Sequence, residues 1–108
     1  MPLVKKSNKV IKWPVTVRIP QDGGSFEEET YTAHFNYLGY EEVAEISQKG
    51  DKELSLKTVI GWDDMNDMEG NPLSFSKKEL QNWCDDIHFV RATAKAYVAM
   101  YELAEEKN

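Results

Sequence analysis

Apolar and polar residues alternate from Trp13 to Ile19: Trp13, Val15, Val17 and Ile19 fall on one side, with Thr16 and Arg18 between them. A period of two is the repeat of a half-buried strand. Pro14 removes a ladder donor and so predicts an edge position. Pro20 ends the run, and Gln21 to Ser25 holds Asp-Gly-Gly, residue types that tolerate the backbone of a tight turn. Alternation then resumes, with Tyr31, Ala33, Phe35 and Tyr37 on one face and Glu28, Thr30, Thr32, His34 and Asn36 on the other. The two runs predict an antiparallel β-hairpin with one face for a core and the other for water or a partner.

Beyond Leu38-Gly39 the period changes to that of a helix. Tyr40, Val43, Ala44 and Ile46 predict a short helix closed by Lys49-Gly50. Asp51 is placed to cap a second short helix through Leu54, Lys57 and Thr58 to about Ile60. Gly61 then releases the chain from that helix, and Trp62 is expected to fold back as an anchor on what the helix buries. Asp63 to Pro72 carries four acids, Gly70 and Asn71-Pro72, which predicts a solvated surface loop. Ser76 with Glu79 three residues on reads as a capping box, starting a helix at Lys77 whose stripe is Leu80 and Trp83. That helix yields near Asp85-Asp86 to the last one, about Ile87 to Glu105. There Ile87, Val90, Ala94, Tyr97, Val98 and Tyr101 make one stripe, widened by Phe89, Ala92, Ala96, Met100 and Leu103. A stripe this wide needs two covering surfaces. The domain's own hairpin and another molecule would supply them, and so would a three-layer monomer.

The fold class that follows is α+β: an N-terminal antiparallel hairpin followed by about four helices, the C-terminal one longest. With 108 residues and 41% hydrophobic content the chain reads as one domain over 13–108, preceded by a flexible basic arm over 1–12. It holds one cysteine, Cys84, and no apolar run of transmembrane or signal-peptide length, so the expectation is a cytosolic protein with no membrane partner. Charge divides the chain. Lys5, Lys6, Lys9, Lys12 and Arg18 precede any acid, so the net charge of -6 leaves -11 for everything after Pro20. An acidic body repels phosphates, which argues against nucleic acid as a partner. The basic arm is either a solubilising terminus or a segment that docks on an acidic patch of a neighbouring copy.

The candidate chemistry thins out on inspection. A calcium loop needs oxygen ligands at alternate positions and a glycine at the sixth. Counting back from Gly70 puts Met65 at the first ligand position and Ser76 where the closing glutamate belongs, so Asp63, Asp64, Asp67 and Glu69 are not expected to hold a metal. Cys84 and His88 stand four residues apart, but zinc needs a further protein ligand and a lone cysteine is more simply a small core side chain. Asp85 and Asp86 suit a helix start, where negative charge is stabilising without any further role. No phosphate loop, nucleophile elbow or metalloprotease pair is present, so neither a catalytic residue nor a cofactor is expected. Among the aromatics, Tyr31, Phe35, Tyr37 and Trp83 are assigned to the core, whereas Met100 and Tyr101 are the expected contact pair.

Gly61-Trp62-Asp63-Asp64, the short acidic bridge and Gly70-Asn71-Pro72-Leu73-Ser74-Phe75-Ser76, followed by paired amphipathic helices ending in Ala-Tyr-rich sequence, carry a resemblance. From about Thr16 to Glu105 the chain resembles the tail assembly chaperones of long-tailed bacteriophages, of the siphovirus or prophage type. The resemblance implies a non-enzymatic protein that self-associates and coats the tape measure protein in the host cytoplasm, with major tail and tail tip proteins as later partners. It implies absence from the mature virion. The alternatives are a structural tail or head-tail subunit retained in the particle, and a small acidic adaptor binding one partner one-to-one. Self-association or client contact is expected at Lys5, Lys6, Lys9, Trp62, Asp63, Asp64, Asp67, Tyr97, Met100 and Tyr101. Such chaperones are often made in two forms by ribosomal slippage. Glu106-Lys107-Asn108 can be encoded GAA-AAA-AAC, which contains a slippery heptamer, although a charged tail is also an ordinary helix end.

Overall fold

Alternation draws Val10–Pro20 into strand β1 and Phe26–Asn36 into strand β2, paired antiparallel from Val10 opposite Asn36 to Pro20 opposite Phe26. The computed structural model describes residues 9–106, with side chains as far as Tyr101. The strand begins at Val10, so Val10 to Lys12, expected in the arm, belong to the sheet. Lys5 and Lys6 lie outside the described residues, as do Lys107 and Asn108. Gln21 N donates to Ser25 O at 2.8 Å to close the turn, where Gly23 and Gly24 take φ of 84° and 86°, conformations that a Cβ would oppose.

Ladder parity explains why Pro14 is tolerated in mid-strand. Tyr37 N donates to Lys9 O at 2.9 Å, which makes Lys9 and Tyr37 a hydrogen-bonded pair. Because such pairs alternate, the even-numbered residues of β1 turn their amide positions outward. The sheet order is β1-β2-β3, so that outward side is a free edge, and Pro14 and Pro20 sacrifice no bond to β2.

The third strand, β3 (Val59–Asp63), corrects the expectation of a helix reaching Ile60. Helix α2 stops at Thr58, and the chain pairs antiparallel with β2, Trp62 opposite Ala33 and Asp63 opposite Thr32. His34 faces Gly61 while Phe35 faces Val59, so Ile60 is the extra residue of a bulge and is left exposed. Gly61 is therefore a strand residue and not a helix terminator. A Cβ there would lie 2.7 Å from His34 Nδ1, so only glycine lets the imidazole lie across the strand.

Helix α1 (Tyr40–Ser47) and α2 (Asp51–Thr58) form as expected, except that Gly50 occupies the cap position and Asp51 is the first helical residue. At α3 (Lys77–Trp83) the Ser76 hydroxyl accepts from Glu79 N at 3.0 Å, the N-cap half of the expected capping box. Asp86 Oδ1 accepts from His88 N at 2.8 Å and from Phe89 N, opening the longest helix, α4 (Ile87–Glu106). Cys84 caps the end of α3 in the break that runs to Asp86, whereas His88 is in α4, so the two do not share a helix face.

Helix α4 is covered from two sides within the chain. Toward the sheet, Phe89 stacks on Tyr31 with ring centroids 5.3 Å apart, and Tyr97 meets Phe35 edge-on at 5.0 Å. Toward α2, Ser55 Oγ donates to Val90 O, and Leu54 and Ala94 are both in the core. The buried face runs through Phe89, Val90, Thr93, Ala94 and Tyr97, leaving Ile87 and Val98, expected in the stripe, exposed. Phe35, Phe89 and Leu80 are fully buried, each worth roughly 1.5–3 kcal/mol of transfer free energy. Of the two ways of covering the wide stripe, the monomer's own layers are the ones present. Among the described residues no helix is long and apolar enough to cross a membrane.

Candidate functional site

The loop after β3 is built by its own hydrogen bonds. Asp67 Oδ1 accepts from Glu69 N at 3.0 Å and Asn71 N at 2.9 Å, and Asp67 N donates to Asn71 O at 2.8 Å. Leu73 N donates to Met65 O at 2.7 Å, and Asn66 bridges Pro72, so the acidic segment closes on itself. Met65 is buried beneath it. Trp62 is the expected anchor: it is buried, Nε1 donates to Leu73 O at 2.9 Å, and its ring meets Phe75 edge-on. Those contacts hold both ends of the loop against the sheet.

Between this loop, the turn end of the hairpin and the α3–α4 junction lies an open cleft of about 550 Å³. Val17, Ile19, Tyr31, Met65, Trp83 and Phe89 give it an apolar floor. Glu29, Asp64, Asp67 and Asp86 give it an acidic rim. Each rim aspartate has an anchored oxygen: Asp64 accepts from Thr32 Oγ1 at 3.3 Å, while Asp67 and Asp86 accept backbone amides. Among the described residues none of the four is within 4 Å of a cationic side chain, since the ion pairs present are Lys12–Asp63, Arg18–Glu28 and His34–Asp63. The cleft thus offers fixed negative charge around an apolar base, an arrangement suited to a cationic ligand with apolar side chains.

The acidic pair after Trp62 is divided between two surfaces. Asp64, at φ 66°, turns to the cleft, whereas Asp63 lies on the outer face of the sheet, 3.0 Å from His34 Nε2 and 3.8 Å from Lys12 Nζ. The hydrogen bond from His34 holds the Asp63 carboxyl below the usual carboxylate range, and Lys12 acts in the same direction.

At the opposite end of α4 the expected contact residues turn inward. Tyr97 is fully buried; its hydroxyl donates to Asn36 O at 2.8 Å and accepts from Leu38 N at 3.1 Å. Tyr101 donates to Leu38 O at 3.1 Å and stacks on Tyr37, and Met100 packs against the core. Tyr97, Tyr101 and Trp62 are therefore packing residues of the monomer. Lys9 is exposed and uses its carbonyl in the ladder. Of the expected contact positions, Asp64 and Asp67 are brought together; Glu29 joins them, as do Asp86, expected only as a helix start, and Tyr31 and Trp83, expected only in the core. Two methionines, Met65 and Met68, stand inside the acidic loop, and only the fold separates the buried one from the exposed one.

Reactive groups near the cleft are occupied. Burial pushes the Cys84 thiol up to about 11, leaving it protonated at neutral pH, and the Tyr31 hydroxyl, also raised by burial, is 2.7 Å from Thr93 Oγ1. Among the described residues no three His, Cys, Asp or Glu side chains are grouped as a metal site. No family model, curated protein or solved structure matches this chain.

Proposed function

We propose that this chain is a non-enzymatic binding protein of the tail assembly chaperone type, which self-associates and holds the phage tape measure protein soluble during tail morphogenesis. The observation that carries the binding reading is the acid-rimmed apolar cleft, framed by strand, loop and helix ends and holding no nucleophile beside a base. The chaperone reading rests on the resemblance of Gly61 to Ser76, the segment that forms β3's end, the loop and the α3 cap. Because α4 finds both covers inside the monomer, association and client binding belong on another surface, and the cleft supplies one.

Co-expression tests the function. The tape measure protein encoded with this chain is expected in the soluble fraction when the two are made together and in the pellet when it is made alone. Equal insolubility in both cases would remove the chaperone reading. Mass spectrometry of purified particles separates the retained structural subunit, which would be found in stoichiometric amounts, from a chaperone that leaves.

A further inference from the structure

The cleft's chemistry has a counterpart in the same chain. Residues 1–6 read Met-Pro-Leu-Val-Lys-Lys, an apolar tetrad followed at once by two cations. Leu3 and Val4 match the apolar floor, and Lys5 and Lys6 match the rim of Glu29, Asp64, Asp67 and Asp86, which has no cationic partner among the described residues. At about 550 Å³ the cleft falls within the range of roughly 300–1,000 Å³ that binds compact ligands. We propose that it receives residues 1–6 of a second copy of this chain. The proposal deepens the self-association named above and is independent of the client's identity.

Reach decides between the chain's own segment and a neighbour's. Lys9 is held opposite Tyr37, at the end of the hairpin away from the turn. Val17, the first cleft residue along β1, is eight residues on, which at about 3.3 Å per residue is ~26 Å away. Doubling back from Lys9, Lys5 and Lys6 extend no further than ~10–14 Å, and Met1 alone arrives at ~27 Å under full extension. The cleft's near edge at Asp64, bonded to Thr32 opposite Pro14, is closer, but a chain cannot carry its own Val4, Lys5 and Lys6, all within ~17 Å of Lys9, to Glu29 opposite Val17. A second copy carries no such restriction, and reciprocal exchange of the two segments would close a two-fold dimer.

Cross-linking of the full chain tests this directly. Glu29 shares the strand face of buried Tyr31 and lines the cleft, and Cys84, 3% exposed, is not expected to compete. Val4→Cys and Glu29→Cys proteins, mixed under mild oxidation, are expected to give a covalent dimer whose linked peptide joins positions 4 and 29. The link should form faster than either variant's own disulfide. Asn66→Cys, at another position lining the cleft, replaces Glu29→Cys should the latter melt early. Lys5→Glu/Lys6→Glu should weaken association measured by sedimentation roughly tenfold at low salt, since reversing two rim contacts changes two weak ion pairs into repulsions. Raising salt should weaken the parent protein similarly, by screening beyond about 10 Å at 0.1 M. Absence of the 4–29 link from the mixture, or its appearance only within single chains of the doubly substituted protein, overturns the proposal. Dimers by sedimentation without that link would leave self-association standing and remove the arm from it. A protein monomeric at high concentration and low salt would remove both, whatever the tape measure experiment shows.

Discussion

At Gly61 one missing carbon organises three strands. His34 lies where a side chain would stand, and from there its Nε2 reaches Asp63, which also draws Lys12 from the edge strand. Gly61→Ala would force the ring away and is expected to destabilise the fold by about 1–3 kcal/mol, the usual cost of overpacking. Urea denaturation measures it, and in a His34→Ala background the same substitution should cost much less; equal costs in both would show that the ring is not the obstacle. Asp63 also gives a pH signature. Its folded carboxyl titrates lower than the ordinary value of about 3.9, so the pair stabilises the fold above that value and the contribution disappears as pH falls through the folded one. The urea midpoint should therefore drop between about pH 5 and pH 2, and Asp63→Asn should drop less over the same window.

Elements differ in how far their origin is local. The hairpin, the Ser76 cap, the Asp86 cap and the last helix were legible because each is written in residues next to one another: an alternation, a hydroxyl before a helix, a long stripe. Strand β3 was not. Its five residues, Val-Ile-Gly-Trp-Asp, have no alternation of their own and follow a helix without a break; pairing with β2 some thirty positions earlier makes them a strand. The cleft was half legible for the same reason. Asp64 and Asp67 stood out as acids in a turn-rich loop, but Glu29, Asp86 and the floor come from strands and helix ends that only the tertiary fold assembles. The loop itself is held by Asp67 accepting its amides, which does in protein atoms what a cation does in a calcium loop. Millimolar calcium is accordingly expected to leave the melting temperature unchanged, and an upward shift of several degrees would show a native-state site.

The whole molecule is joined at its far end by two neighbouring hydroxyls, those of Tyr97 and Tyr101. Tyr97, on α4, bonds Asn36 at the end of β2 and Leu38 in the connection to α1, while its ring packs against Phe35. Its position on the apolar stripe was readable, but its complete burial was not, because the layers that enclose it come from distant parts of the chain. Tyr97→Phe keeps the packing and strands a carbonyl and an amide. The expected loss is about 1–3 kcal/mol by chemical denaturation, with oligomeric state unchanged. A shift in association with no loss of stability would return Tyr97 to the contact surface.

The outward prolines of β1 bear on how such a chain behaves when many copies are made at once. An exposed strand edge is a template on which further strands can stack, the first step of uncontrolled aggregation. Here the outward amide positions run Val10, Lys12, Pro14, Thr16, Arg18 and Pro20, and the two prolines have no hydrogen to give. A foreign strand would find two amides, a gap, two amides and another gap, too short a run for a lasting ladder. Growth by templated stacking is thus blocked on this edge, so copies that meet there do so through side chains, where charge and shape choose the partner.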